Sequence, residues 1–255
     1  MLLVIDAGNT NITIGVYKSD ELLFVSRLAT DRTITEDQFA INVNSILKIN
    51  NIEADGFEGA VISSVVPELT RSIKKGVEMV TGKSPLVLGP GVKTGLNIKL
   101  DNPAELGADL CATAVGALSQ YELPCIIVDL GTATKITILG ENGDFLGGAI
   151  APGLLISLDA LANGASMLSS IALKSPKASI GTNTPECIRS GMVYGTADMV
   201  DGTIDRMSKE VSVPVKTIVA TGGLSPVVIK HCSHNIIVNR NLLMEGLKVI
   251  FEKNN

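Results

Sequence analysis

The chain has 255 residues, 45% of them hydrophobic and 18% charged, with a formal net charge of −5 and no block of Lys or Arg. With Trp 0, Tyr 3 and Phe 5 it offers neither the basic surface nor the stacking platforms that nucleic acid demands, and its apolar content excludes a disordered chain. No apolar run reaches the roughly 18 to 20 residues of a membrane span, and Cys111, Cys125, Cys187 and Cys232 form no C-x-x-C pair, so a cytoplasmic protein with reduced thiols is expected, without nucleic-acid or membrane partners.

Leu2 to Ile5 is an apolar run closed by Asp6; Ala7-Gly8-Asn9-Thr10 follows, and Ile12, Ile14 and Val16 then alternate with Asn11, Thr13 and Gly15. The pattern predicts a strand, a tight polar turn and a second strand. Gly8 would let backbone approach a ligand, and Asn9, Thr10 and Asn11 add donors suited to a phosphate. Asp6 would repel phosphate unless a cation stood between them, so it is expected to hold Mg²⁺ directly or through water. A plain Asn/Asp-Gly hairpin is the competing reading. A further hairpin ends near Leu22 to Val25.

Thr35 and Gln38 have capping-box spacing ahead of a helix carrying Phe39, Val43, Ile46 and Leu47. Gly59 to Val66 reads as a buried strand, and Pro67-Glu68 opens a helix that stops near Thr81-Gly82. Thr81-Gly82-Lys83-Ser84 is no Walker A loop: Val77 stands where that loop needs Gly, and the segment leaves a helix. Asn102, Pro103 and Glu105 then fit Ncap, N1 and N3 of one helix with Leu106, Leu110, Ala114 and Ala117 on its buried stripe. Asp109 falls about 60° round that helix from Leu106, at the edge of the stripe. Glu105, four residues earlier, would push the Asp109 pKa upward, which suits a general base; an ordinary boundary Asp is the alternative.

Cys125 to Leu139 repeats the opening pattern, with Asp129-Leu130-Gly131-Thr132 in place of the first turn and a second hairpin near Phe145 to Gly148. Each half therefore begins with a D-x-G-[N/T] hairpin, predicting two similar domains that face each other and share a cleft. Gly147 to Gly153 reads as a bend entering a Leu154 to Leu161 helix, and Ala162 to Ile180 as a loop with a short helix. Thr184 is expected to cap a long helix from Pro185 whose Met192, Met199 and Met207 fill core or an interface. Val215 to Ala220 is a strand entering Thr221-Gly222-Gly223-Leu224, whose glycines could let backbone close over a nucleotide, with a plain tight turn as the alternative. His231, Cys232 and His234 make a poor metal set without a carboxylate, and Leu242 to Glu252 forms the last helix.

Taken in order, DAGNT, ELGAD, DLGTAT, GGAIAPG, GTNTPECIRSG and ATGG give a chain that resembles the type III pantothenate kinases, within the actin-like and sugar-kinase superfamily. The resemblance implies an α/β fold of two duplicated ribonuclease-H-like domains, residues 1–120 and 121–255, with mixed sheets, flanking helices and a cleft between them. It implies ATP-dependent phosphorylation of pantothenate to 4′-phosphopantothenate, the first step toward coenzyme A, in a homodimer that needs Mg²⁺ and a monovalent cation such as K⁺ or NH₄⁺. By position, Asp6, Ala7, Gly8, Asn9, Thr10, Asn11, Ile12 and Thr13 would line the ATP phosphates, joined by Thr132. Gly107, Ala108, Asp109 and Leu110 would touch pantothenate, with Asp109 as base and Thr184 binding substrate of the same or the partner subunit. Asp129 would hold the monovalent cation. Two positions depart from the common pattern: Leu110 where Arg often follows Gly-Ala-Asp, and Lys135 where Thr usually continues DLGTAT. The rival readings are another hydroxyl acceptor, or water, in the same fold, and a non-catalytic nucleotide-binding regulator.

Overall fold

The computed structural model describes residues 1–164 and 171–255. Strands β1 (Leu2–Ala7), β2 (Asn11–Lys18) and β3 (Glu21–Ala29) form an antiparallel meander, followed by α1 (Glu36–Ile49), β4 (Gly59–Ser64), α2 (Pro67–Thr81) and the short β5 (Leu86–Val87). The sheet order is β3-β2-β1-β4-β5, with β4 parallel to β1 and β5 parallel to β4. β1 is central, which explains the unbroken apolar run from Leu2 to Ile5: both faces of the strand are covered. α1 starts as its capping box predicts, with Thr35 Oγ1 accepting from Gln38 N–H at 3.3 Å and Gln38 Oε1 accepting from Thr35 N–H at 3.2 Å. Its buried face, Phe39, Val43, Ile46 and Leu47, packs with Leu3, Ile5, Ile14, Ile62 and Ile73. Gly82 ends α2 in the left-handed conformation at φ +66°, so Gly82-Lys83 is a helix stop.

The second half repeats this plan. β7 (Cys125–Leu130), β8 (Ala133–Leu139) and β9 (Asp144–Pro152) form a meander, then come α4 (Leu154–Gly164), α5 (Thr184–Glu210), β10 (Thr217–Thr221), α6 (Ser225–Val228) and β11 (Ile237–Val238). The sheet order β11-β10-β7-β8-β9 matches that of the first sheet, with β6 (Asn97–Ile98) added alongside β9. Its core gathers Ile126, Val128, Ile136, Val200, Ile204 and Val228.

Three expectations change. Asn102 caps a separate 3₁₀ turn at Pro103–Glu105; Leu106 is extended, and the long helix α3 runs Ala108–Gln120. The start signal is thus spent on one turn, Glu105 is not a helical neighbour of Asp109, and burial spreads over Cys111 to Ala117 while Leu106 and Leu110 are only half-buried. Gly147 to Pro152 continues strand β9 instead of bending, because Gly148 lies against the backbone of Ile136 and Thr137 with no room for a side chain. Asn183, one residue before Thr184, caps α5 by accepting from Glu186 N–H at 3.0 Å, which places Thr184 in the first turn. Met199 and Met207 pack against the core of their own unit. Of Ala162 to Ile180, residues 165–170 lie outside the described residues; residues 162–164 complete α4 and residues 171–180 are irregular.

The chain forms two compact units, one of Met1–Gly95, Asn102–Ser119 and Leu243–Asn255, the other of Leu96–Asp101 and Gln120–Leu242. Apart from residues 96–101 and 243–255, the chain passes from the first unit to the second near residue 120. The helix α7 (Leu242–Lys253) belongs with the first unit because Gly246 seats it on α3, where a Cβ would run into the Ala112 carbonyl and stand 2.8 Å from Gly116 N.

Candidate active site

In the first unit the β1–β2 hairpin is closed by Gly8 N–H donating to Asn11 O at 3.0 Å. Thr30, just beyond β3, braces it from outside: its hydroxyl donates to Gly8 O at 2.7 Å and its N–H to Thr10 O at 3.0 Å. Asn9, Thr10 and Asn11 are exposed, Ala7 and Ile12 are buried, and Asp6 and Thr13 are half-buried at the end of the strand pair. Asp6 stands in register with Thr13 of β2 and Ser63 of β4, two hydroxyl residues. Arg32 was not singled out by sequence, yet it reaches this turn, donating to Asn9 Oδ1 and to Glu68 Oε1, each at 3.0 Å. No local motif marks it; only the return of β3 brings it there.

The Gly-Ala-Asp segment belongs to the same unit and lies next to that hairpin. Val65, in the loop between β4 and α2, donates its N–H to Ala7 O at 3.0 Å, and its Cγ1 is 3.9 Å from where a Gly107 Cβ would stand. The loop is pinned by Ser64 Oγ, which accepts from Thr70 Oγ1 at 2.8 Å. Asp109 is half-buried in the first turn of α3, where its Oδ1 accepts from Leu110 N–H at 2.8 Å. A Cβ on Gly107 would sit 2.7 Å from that oxygen, so glycine there keeps the carboxylate in place. Cys111 is behind it, and burial pushes its thiol up to about 11, which leaves it a packing group and no nucleophile.

In the second unit the equivalent turn is closed by Gly131 N–H donating to Ala133 O at 3.2 Å, with Thr132 exposed at its tip. Leu224 N–H donates to Leu130 O at 3.1 Å, and Gly222, at φ +88°, lets the Thr221-Gly222-Gly223 turn pass against Leu130 where a side chain would collide. Asp129 stands in register with Lys135 of β8 and Thr221 of β10. The Lys135 ammonium is 2.7 Å from Asp129 Oδ2, and the two side chains are only 14% and 16% exposed. A monovalent cation at Asp129 thus meets a cation already bonded to that carboxylate, and the residues do not fit the extra ion. Thr184 is exposed.

The histidines are held by other work. His231 Nε2 is 3.4 Å from Ser175 Oγ and its ring stands edge-on to Tyr194, while His234 Nε2 pairs with Asp205 Oδ1 at 3.1 Å. Burial, aided by Asp201 and Asp198, pushes the Cys232 thiol up to about 12. Among the described residues, no three His, Cys, Asp or Glu side chains gather as metal ligands, and no helix is long and apolar enough to cross a membrane.

A family model of type III pantothenate kinases matches residues 2–206. The chain is 41% identical over 254 residues to the type III pantothenate kinase of Halalkalibacterium halodurans, with 100% of each chain covered. Among solved structures, a Campylobacter jejuni protein described as a Baf-family transcriptional activator is similar with a TM-score of 0.61 at 19% identity, covering 99% of this chain and 98% of that one. A Sinorhizobium meliloti protein described as a 2-dehydro-3-deoxygalactonokinase has a TM-score of 0.60 at 11% identity, covering 99% and 96%. These distant likenesses concern the fold, an actin-like and sugar-kinase arrangement of two mixed sheets. With duplicated D-x-G hairpins, a Gly-Ala-Asp helix start and full-length similarity at 41% identity, the chain belongs to the type III pantothenate kinase family.

Proposed function

We propose that this protein transfers the γ-phosphoryl group of ATP to the primary hydroxyl of pantothenate, giving 4′-phosphopantothenate for coenzyme A synthesis in the cytoplasm. The observation that carries the reading is the place of Val65, whose N–H bonds Ala7 of the Asp6 hairpin and whose Cγ1 is 3.9 Å from where a Cβ on Gly107 would stand. A carboxylate able to take a proton therefore stands in the same unit as a phosphate-binding turn. Asp109 accepts the hydroxyl proton as the oxygen attacks in line, while Gly107, Ala108 and Leu110 position pantothenate with Thr184. The residues from Asp6 to Thr13, together with Thr132, hold ATP.

Mg²⁺ fits the surroundings of Asp6. The groups in register there are oxygen donors, and Ser63 Oγ is fully buried with no hydrogen-bond partner. When bound, the ion supplies neutralisation of the phosphate oxygens. No step needs a monovalent cation at Asp129, since Lys135 faces that carboxylate.

The test is ADP release in the presence of pantothenate, of other primary alcohols, and of no acceptor. Pantothenate-dependent release well above the no-acceptor rate is expected. Equal release without acceptor would replace the kinase with a hydrolase, and ATP binding without any release would favour the regulator.

The active form is proposed to be a homodimer. Support comes from exposed apolar side chains clustered in the chain at Leu146 and Ile150 of β9 and Leu155, Ile156 and Leu161 of α4. Specific activity should fall on dilution, in step with a sedimentation shift to monomer. A monomer with undiminished activity would remove the dimer from the site.

A further inference from the structure

The two hairpins share one plan, a carboxylate at the end of the first strand with the second strand paired beside it, and they differ in the residue directly across from that carboxylate. In the first sheet Asp6 faces Thr13 on one side and Ser63 on the other; in the second, Asp129 faces Lys135 and Thr221. A hydroxyl on the fourth strand, Ser63 or Thr221, is common to both. The second strand carries neutral Thr13 in one copy and cationic Lys135 in the other.

This difference gives Asp129 a counter-charge from its own partner strand. A half-buried carboxylate beside phosphate oxygens is repelled by them and needs a cation. Asp6 has the hydroxyl residues Thr13 and Ser63 at its register positions. Asp129 has an ammonium at 2.7 Å, delivered by the antiparallel partner strand and screened from water by the 14% exposure of the Lys135 side chain. The register fixes this pair: Lys135 is the residue directly across from Asp129, and Thr134 and Ile136 on either side of it are buried. An ammonium is also close to K⁺ in size and equal in charge, so it can occupy the same place against a carboxylate.

We infer that the Lys135 ammonium serves as a built-in monovalent cation at Asp129, making the second phosphate hairpin independent of K⁺ or NH₄⁺. Lys135 is a positioning residue: it acts on the nucleotide through Asp129 and its turn. The inference rests on the kinase reading for its activity readout, and the thermal readout below does not.

Turnover of pantothenate is compared in KCl, NH₄Cl and choline chloride at one ionic strength, for wild type, Lys135→Thr and Lys135→Arg. Wild type is expected to vary by no more than about twofold among the three salts, and Lys135→Arg, which keeps the charge, to be equally indifferent. Lys135→Thr should lose about tenfold or more in choline and recover saturably with K⁺ or NH₄⁺, as a lost charge-stabilising group replaced from solution would. The thermal midpoint of the nucleotide-free protein should rise with KCl over choline chloride in Lys135→Thr and stay level in wild type. Strong K⁺ activation of wild type overturns the inference, with or without a folded variant, and so does a folded Lys135→Thr indifferent to K⁺ in both readouts. If wild type releases no ADP with pantothenate in any salt, the kinase reading fails, and the thermal midpoints still decide the cation.

Discussion

Replacing Asp109 with Asn is expected to lower kcat for pantothenate by roughly 10² to 10⁴, with ATP affinity within a few-fold of wild type. The variant suits the question because it is isosteric. Asn Oδ1 can still accept the Leu110 N–H bond that Asp109 Oδ1 makes at 2.8 Å, so the first turn of α3 keeps its geometry. What is lost is a group that can take a proton from the attacking hydroxyl. Initial rates under saturating ATP, with an ATP-binding titration alongside, separate chemistry from binding. Turnover within a few-fold of wild type would show that Asp109 only positions substrate.

The second large effect is on stability. Gly246→Ala places a methyl against the Ala112 carbonyl and 2.8 Å from Gly116 N, both backbone atoms inside α3 that cannot swing aside. Either α7 lifts off its seat or α3 bends, and overpacking of this kind costs about 1–3 kcal/mol or more. For domains of this size that corresponds to a midpoint lower by roughly 2–4 °C for each kcal/mol. The control is Gly191→Ala within α5, about two turns from its start, where a Cβ meets nothing within 4 Å; there the gain in helix propensity should stabilise by about 0.5–1 kcal/mol. Thermal unfolding of the pair decides it. Equal midpoints would mean that α3 and α7 are not in tight contact.

The duplicated hairpin, the capped α1 and the α2 stop at Gly82 were legible because each is written within a few residues: an alternating run, a capping box, a helix-ending glycine. The Gly-Ala-Asp helix was misread for a physical reason. Asn102, Pro103 and Glu105 carry every local mark of a helix start, but those marks describe one turn equally well, and here the backbone turns extended at Leu106 before α3 begins at Ala108. Glycines at Gly147 and Gly148 suggest a bend by propensity; in the folded unit they admit close backbone approach along β9. The reach of Arg32 to Asn9 and the Lys135–Asp129 ion pair are set by strand register, which sequence expresses only through the turns between strands.

The placement of α7 also bears on synthesis. A ribosome delivers the chain from its amino end, and the middle of α3, fully buried in the finished unit, emerges long before Gly246 and the helix that covers it. Residues Leu96–Asp101 and Gln120–Leu242, by contrast, are all available before α7 has formed. The unit encoded later can therefore close earlier, and Cys111 to Ala117 remain an apolar surface needing shelter during translation.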